Sequence, residues 1–277
     1  MRYQNWRGTK SIETEFLKSL NYIVDLFIKI CELSGDDQDE YIKRMDNFQN
    51  SNAYENFIYS AVRRMVTPLA TKNFDTWRKA ARVGTKSKSL YDLLMHEINT
   101  GLQNDIESQI IENAALIRTL PHDTALKVVR NIKELTFEGE RASTIAKFIR
   151  TETDKHARAS ARLIARTEVS KTQTALTKAR SENLGLRWYV WRTAQDGNRV
   201  RPSHRIMEGV LINWQDPPSP EELEGLPSVG RYHAGSIWNC RCYPEPLIEI
   251  DDVSWPHKVY YQGKIQTMAK QKFSELM

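Results

Sequence analysis

Apolar residues over the first 184 positions recur at steps of three and four, and beyond Gly185 the step shortens to two. At the N-terminal end, Ile12, Phe16, Leu20, Ile23, Val24, Phe27 and Ile30 mark one face of a helix that Ser11 can cap and Gly35 can end. The same spacing predicts helices over residues 54–66, 75–82, 90–99, 102–119, 123–135 and 142–153, punctuated by Pro68, Gly84, Gly101, Pro121 and Gly139. A longer helix follows from about Lys155 to Leu184. It is rich in Ala, Ser and Thr, which lets another element approach closely, and Gly185 supplies its C-terminal cap. Residues 187–193, 209–214 and 243–250 then read as extended pieces, residues 259–265 as a hairpin, and a short helix starts at Gln266. Pro217, Pro218, Pro220, Gly225, Pro227 and Gly230 make the intervening stretch a long ordered loop. The expected fold class is α+β: a long helical N-terminal arm, then a small mixed module with short strands and long loops. The expected division is a docking arm over residues 1–140, the module over 141–250, and an extension with a short helix over 251–277.

Composition adds little to this picture, but charge does. An apolar share of 40% with 27% charged residues is ordinary for a folded protein of 277 residues. The best membrane-span candidate, residues 16–33, carries Lys18, Asp25, Lys29 and Glu32, which mark an amphipathic helix instead. No secretory signal is visible, and three cysteines, two of them two positions apart, point to reduced thiols in a cytoplasmic setting. The net charge of +5 is unevenly spread: residues 151–205 balance at +7 and residues 206–257 at −7. Such neighbours can neutralise each other, or offer a face to phosphates or an acidic protein. Arg158, Arg162 and Arg166 stand at i, i+4 and i+8, so acidic partners are expected beside them. Arg158, Arg162 and Lys171 are the candidate contacts to nucleic acid or an acidic partner. Glu168 projects from another side of that helix, where an ion pair is the simplest expectation.

The candidate chemistry lies in the last third. Cys240 and Cys242, with His204 and His233 upstream, are the side-chain types of a zinc site. The Cys-x-Cys spacing has to splay its thiols, and plain buried cysteine is the competing reading. The lone histidines His96, His122 and His156 read as surface or capping residues. Asp196-Gly197 makes a turn and Pro202 fixes its exit, directing Arg199, Arg201 and His204 into a polar network whose partners are expected to include Asp196 and Glu168. There is no His-Glu-x-x-His, no glycine-rich phosphate loop and no cysteine elbow, so the sequence predicts no enzyme.

Taken in order, Ala165-Arg166-Thr167-Glu168, Trp188-Tyr189-Val190-Trp191, Asp196, Arg199, Arg201, His204, Met207-Glu208-Gly209-Val210 and Asn239-Cys240-Arg241-Cys242 resemble the phage head morphogenesis domain. That domain defines the family of phage Mu F-like minor head proteins. Glu208 stands where that pattern often has Asp. The resemblance covers roughly residues 140–250 and marks Arg166, Glu168, Asp196, Arg199, Arg201, His204, Cys240 and Cys242 as signature residues, with no catalytic role attached. It implies a minor capsid protein of a tailed phage: low-copy inside the head, associated with the portal and other head proteins, near packaged double-stranded DNA, and in some relatives ejected with it. Localisation would be the virion, with the host cytoplasm during assembly and no membrane in the assembled head. The alternatives are a zinc-dependent DNA-binding or nuclease module, and a scaffold-like assembly chaperone absent from the finished particle.

Overall fold

The computed structural model describes residues 6–35, 37–82, 87–97, 102–137, 142–195 and 200–277. Seven helices come first: α1 (Lys10–Ser34), α2 (Gln38–Gln49), α3 (Asn52–Ala80), α4 (Ser87–Glu97), α5 (Gln103–Arg118), α6 (Leu120–Phe137) and α7 (Ala142–Asn183). Then come β1 (Trp188–Arg192), α8 (Pro202–Arg205), β2 (Leu211–Asn213), α9 (Pro220–Leu223), β3 (Tyr243–Pro246), β4 (His257–Tyr261), β5 (Lys264–Met268) and α10 (Lys270–Ser274). The chain is therefore α+β, a long helical region followed by a small mixed sheet. It divides into two compact units. One is Lys10–Val66 with Ser108–Ala165; the other is Met1–Thr9, Thr67–Glu107 and Arg166–Met277.

The first unit is all helix. The expected α1 stripe is buried at Phe16, Leu20, Ile23, Val24 and Phe27. Three polar contacts add direction to its core. Thr153 of α7 meets both the Tyr41 hydroxyl, at 2.8 Å, and the Cys31 thiol, at 3.3 Å, while Tyr54 donates to the Ile117 carbonyl at 2.9 Å. These are the satisfied buried polar groups that a helical core needs. His122, expected on the surface or at a cap, sits two-fifths exposed beside Asp46 at 2.8 Å. His156 is at 3.1 Å from Glu152, and His96 lies outside the residues whose side chains are described.

Two expected helix breaks are absent. Pro68 lies inside α3, which runs unbroken through the gap expected between 66 and 75. Likewise α7 passes straight through Thr153 and Asp154 as one helix of 42 residues. A mid-helix proline costs about 3 kcal/mol. Met65, Val66 and Leu69, all at most 1% exposed, bury enough apolar surface around Pro68 to offset that. Pro121 is tolerated for a different reason: it is the second residue of α6, where its missing N–H has no helical partner to lose. The short polar helix α2 had no expectation behind it.

The second unit holds the sheet, in the order β3-β1-β2-β4-β5. Only the β2–β4 pair is parallel, and the other three are antiparallel. Alternation along the interior strand β1 creates a core on each face. Tyr189 and Trp191 pack with Met207, Val210, Ile212 and Trp214; Trp188 and Val190 pack with Leu211, Leu247, Val259 and Phe273. The hairpin between β4 and β5 turns on Gln262 and Gly263, with φ of 53° and 79°. Two successive positive φ values are what a two-residue turn matched to strand twist requires. Strands β4 and β5 and the Phe273 ring on Trp188 (centroids 4.9 Å apart) come from the stretch expected to form an extension.

Candidate functional site

The C-terminal half of α7 is the platform of the site. Gly185, at φ +70°, ends the helix as expected: the Leu186 N–H reaches back to the Ser181 carbonyl at 2.8 Å, the longer bond of a left-handed cap. The loop before β3 is fastened to this platform at three points. Arg166 donates to the Asn239 side-chain oxygen at 2.7 Å, the Asn239 N–H donates to the Thr167 hydroxyl at 2.9 Å, and the Thr174 hydroxyl donates to the Ala234 carbonyl at 2.7 Å. Asn239 adopts φ +56°, a conformation asparagine tolerates better than most residues. The Arg-Thr pair on the helix and the Asn before the Cys-x-Cys are thus the two halves of one clamp.

Opposite the clamp stands α8, started by Pro202, which carries His204. His204 is 2% exposed, and Cys240 and Cys242 are each 4% exposed. His204 Nδ1 lies 3.5 Å from Cys240 Sγ and 3.4 Å from Cys242 Sγ. The one-residue spacing does not splay the thiols here. Residues i and i+2 of a chain entering a strand point to the same side, and both sulfurs face the imidazole. Cys240 ionises more readily, chiefly through its hydrogen bond with Cys242, and Cys242 less readily through that same bond and then burial. His204, Cys240 and Cys242 could hold a metal ion, with their ligand atoms all within 4.8 Å of one another.

The other side of His204 is fixed by a relay. Tyr232 places its hydroxyl 2.8 Å from both oxygens of Glu221 and 2.9 Å from His204 Nε2. A carboxylate only accepts, so the single hydroxyl proton goes to Glu221 and the phenol oxygen accepts from His204 Nε2–H. The other ring nitrogen, His204 Nδ1, is thereby aimed at the two sulfurs. Ser203 completes the relay by donating to Glu221 at 3.1 Å. Neither Tyr232 nor Glu221 stood out in the sequence. They are eleven residues apart, Glu221 on the short helix α9 and Tyr232 in the loop beyond it, with no spacing rule to link them.

The remaining expected residues divide. His233 lies outside the cluster: its Nδ1 is 3.2 Å from the Tyr189 hydroxyl, and its ring meets Trp214 edge-on at 5.1 Å. Burial, with nearby Lys178 adding to it, pushes the His233 imidazole down to about 3. Arg201 donates to the Trp238 carbonyl at 2.9 Å and lies over its ring at 5.4 Å, where Glu168 was the expected partner. Glu168 is buried and pairs with Lys171 at 3.4 Å. Asp196 and Arg199 lie outside the described residues. Arg158 has the acidic company expected of it, Asp154 at 2.6 Å and Asp25 at 2.8 Å, whereas Arg162 is exposed with no partner among the described residues. Glu208 accepts from the Thr193 N–H and hydroxyl, both at 2.6 Å, which ties the end of β1 to the turn before β2.

A pocket of about 310 Å³ opens over the cluster, lined by Arg166, Arg201 and Arg241 as well as by His204, Cys240 and Cys242. Three arginines in the lining make the opening positively charged, which favours an anionic occupant.

The family described as Phage Mu protein F like protein matches residues 126–244, which takes in the clamp, the His204 relay and the Cys-x-Cys. A Haemophilus influenzae (strain Rd) protein, described only as an uncharacterized protein, is 29% identical over 140 residues. The aligned stretch is 50% of this chain and 29% of that relative, so the chain spans under a third of its length. No solved structure matches.

Proposed function

We propose, from the match of residues 126–244 to the phage Mu protein F like family, that the chain is a head morphogenesis protein of a tailed phage. In this reading it is a minor capsid component, low-copy inside the head and associated with the portal and other head proteins. It acts by assembly rather than turnover. The family match is the observation that carries the reading. The roles of the matched residues support it: Arg166, Thr167 and Asn239 clamp a loop to a helix, and Glu208 ties a strand end. These are positioning tasks, suited to a module that presents a fixed surface. The helical unit Lys10–Val66 with Ser108–Ala165 is the part we assign to partner docking.

Contact with packaged double-stranded DNA rests on fewer groups than the +7 segment suggests. Arg158 and Lys171 have acidic partners within the chain, which leaves Arg162 as the exposed cation of the three. No helix among the described residues is long and apolar enough to cross a membrane, consistent with a place in the particle.

The test is quantitative peptide mapping of purified proheads, mature virions and ejected material, with portal pull-down from lysates of infected cells. A low, fixed copy number in mature virions and recovery with the portal are expected. Absence from mature virions would sink the minor-capsid reading, and presence in proheads alone would make the protein an assembly chaperone. A second reading, a zinc-dependent DNA-binding or nuclease module, draws on one observation, the arginine-lined pocket over the Cys/His cluster. It would be favoured by DNA cleavage that a chelator abolishes.

A further inference from the structure

We propose that His204, Cys240 and Cys242 bind one Zn2+ ion, whose fourth coordination position opens into the arginine-lined pocket. Zinc takes thiolate sulfur at about 2.3 Å and imidazole nitrogen at about 2.1 Å, so tetrahedral geometry puts ligand N and S about 3.6 Å apart. The two N–S separations are 3.5 Å and 3.4 Å. Both sulfurs approach the one Nδ1 at nearly equal distances, as two ligands sharing a single ion with it would.

The surroundings fit a metal as well. A ligand histidine is usually oriented by a hydrogen bond from its other ring nitrogen to an oxygen acceptor, which also fixes the tautomer. Here His204 Nε2–H is held by Tyr232, itself anchored on Glu221, so the ligand lone pair is set in place by buried groups. The Cys242 N–H also points at Cys240 Sγ, at 3.4 Å, an interaction that stabilises a thiolate ligand. All three ligand side chains are buried, and the donor set of two sulfurs and one imidazole suits zinc. Among the described residues no fourth His, Cys, Asp or Glu joins the group. Water or a small anion completes the coordination, and Arg166, Arg201 and Arg241 favour the anion.

This inference is independent of the head-protein reading, and its test uses the full purified chain. Elemental analysis should give one zinc per chain in the wild type. It should fall below about a tenth in Cys240→Ser and stay near one in Cys31→Ser and His233→Gln, since neither of those side chains belongs to the ligand set. Because the Cys240 variant can lose its fold along with its metal, a second measurement uses wild-type protein stripped by chelator and titrated with Co2+. Thiolate-to-cobalt charge-transfer bands and tetrahedral d–d bands should saturate at one equivalent, and added azide should shift the d–d bands by taking the open position. A wild type without metal whose cobalt spectrum lacks thiolate bands would overturn the site. Another metal at one per chain would overturn the assignment to zinc. A cobalt spectrum indifferent to azide would overturn the open position.

Discussion

Tyr232 shows how much of the site depends on one hydroxyl group. It satisfies Glu221 and His204 at once, in a place where neither can turn to water, since Glu221 is 8% and His204 2% exposed. Tyr232→Phe keeps the ring and removes the link, so a buried carboxylate and an imidazole N–H each lose a partner. Expected is a stability loss of ~1–3 kcal/mol, measured as a lowered denaturation midpoint of the purified variant. His233 makes a different statement. Its folded-state value of about 3 lies below the ordinary 6.5, so between those values the unfolded chain takes up a proton that the folded chain refuses. The stabilisation is complete above pH 6.5 and is lost as pH falls toward 3. The groups around it, Lys178, Tyr189 and Trp214, supply no carboxylate to welcome the charged ring. The melting temperature should fall between pH 7.5 and pH 5, and His233→Gln should flatten that slope; an equal slope in the variant would place the titration elsewhere.

At the scale of elements, the close approach of the 232–242 loop to α7 decides whether the site exists. Gly235 is where the two are tightest. A methyl group there would lie 2.7 Å from the Cys242 carbonyl oxygen, 2.7 Å from the Thr174 hydroxyl and 2.9 Å from the Ser170 hydroxyl, and φ is +85°. Gly235→Ala therefore pushes the loop off the helix that Thr174 and Arg166 hold it to, at a cost of about 1–3 kcal/mol. Thermal denaturation reads the cost, and increased alkylation of Cys240 and Cys242 in the native state reads the loosening. A variant as stable and as protected as the wild type would mean that the loop has room to spare. The breadth of α7 follows the same logic of close packing. Ala157, Ala161 and Ala165 are wholly buried, so the small side chains that suggested a helix approached by a neighbour are indeed covered.

For the molecule as a whole, part of the basic charge is paired within the chain. The basic run over residues 151–205 meets carboxylates at Arg158, Lys155, Lys171 and Arg192, the last paired with Glu245 at 2.6 Å and Glu208 at 3.6 Å. The more exposed of these pairs contribute little to stability, but all of them consume charge a polyanion would otherwise feel. This is why the virion prediction leans on protein contacts first, and why any DNA affinity should be modest and weaken with salt.

Much of this was legible from residues alone. The apolar stripe of α1, the left-handed stop at Gly185, the alternation that buries β1 on both faces and the motif order are short-range signals. They are set by the 3.6- and 2-residue periods of the backbone and by the few residues that tolerate a positive φ. The sequence also put His204 and His233 on equal footing as ligands, since both are histidines upstream of the same Cys-x-Cys. Only the tertiary structure separates them. The docking of α8 brings His204 across 36 residues to Cys240, while His233 is turned toward Tyr189 and Trp214. The unbroken passage of α3 through Pro68 is decided the same way, because a local penalty of a few kcal/mol is outweighed by burial that depends on residues far away in the chain. Periodicity fixes which face of an element is apolar; what that face meets is a property of the packed whole.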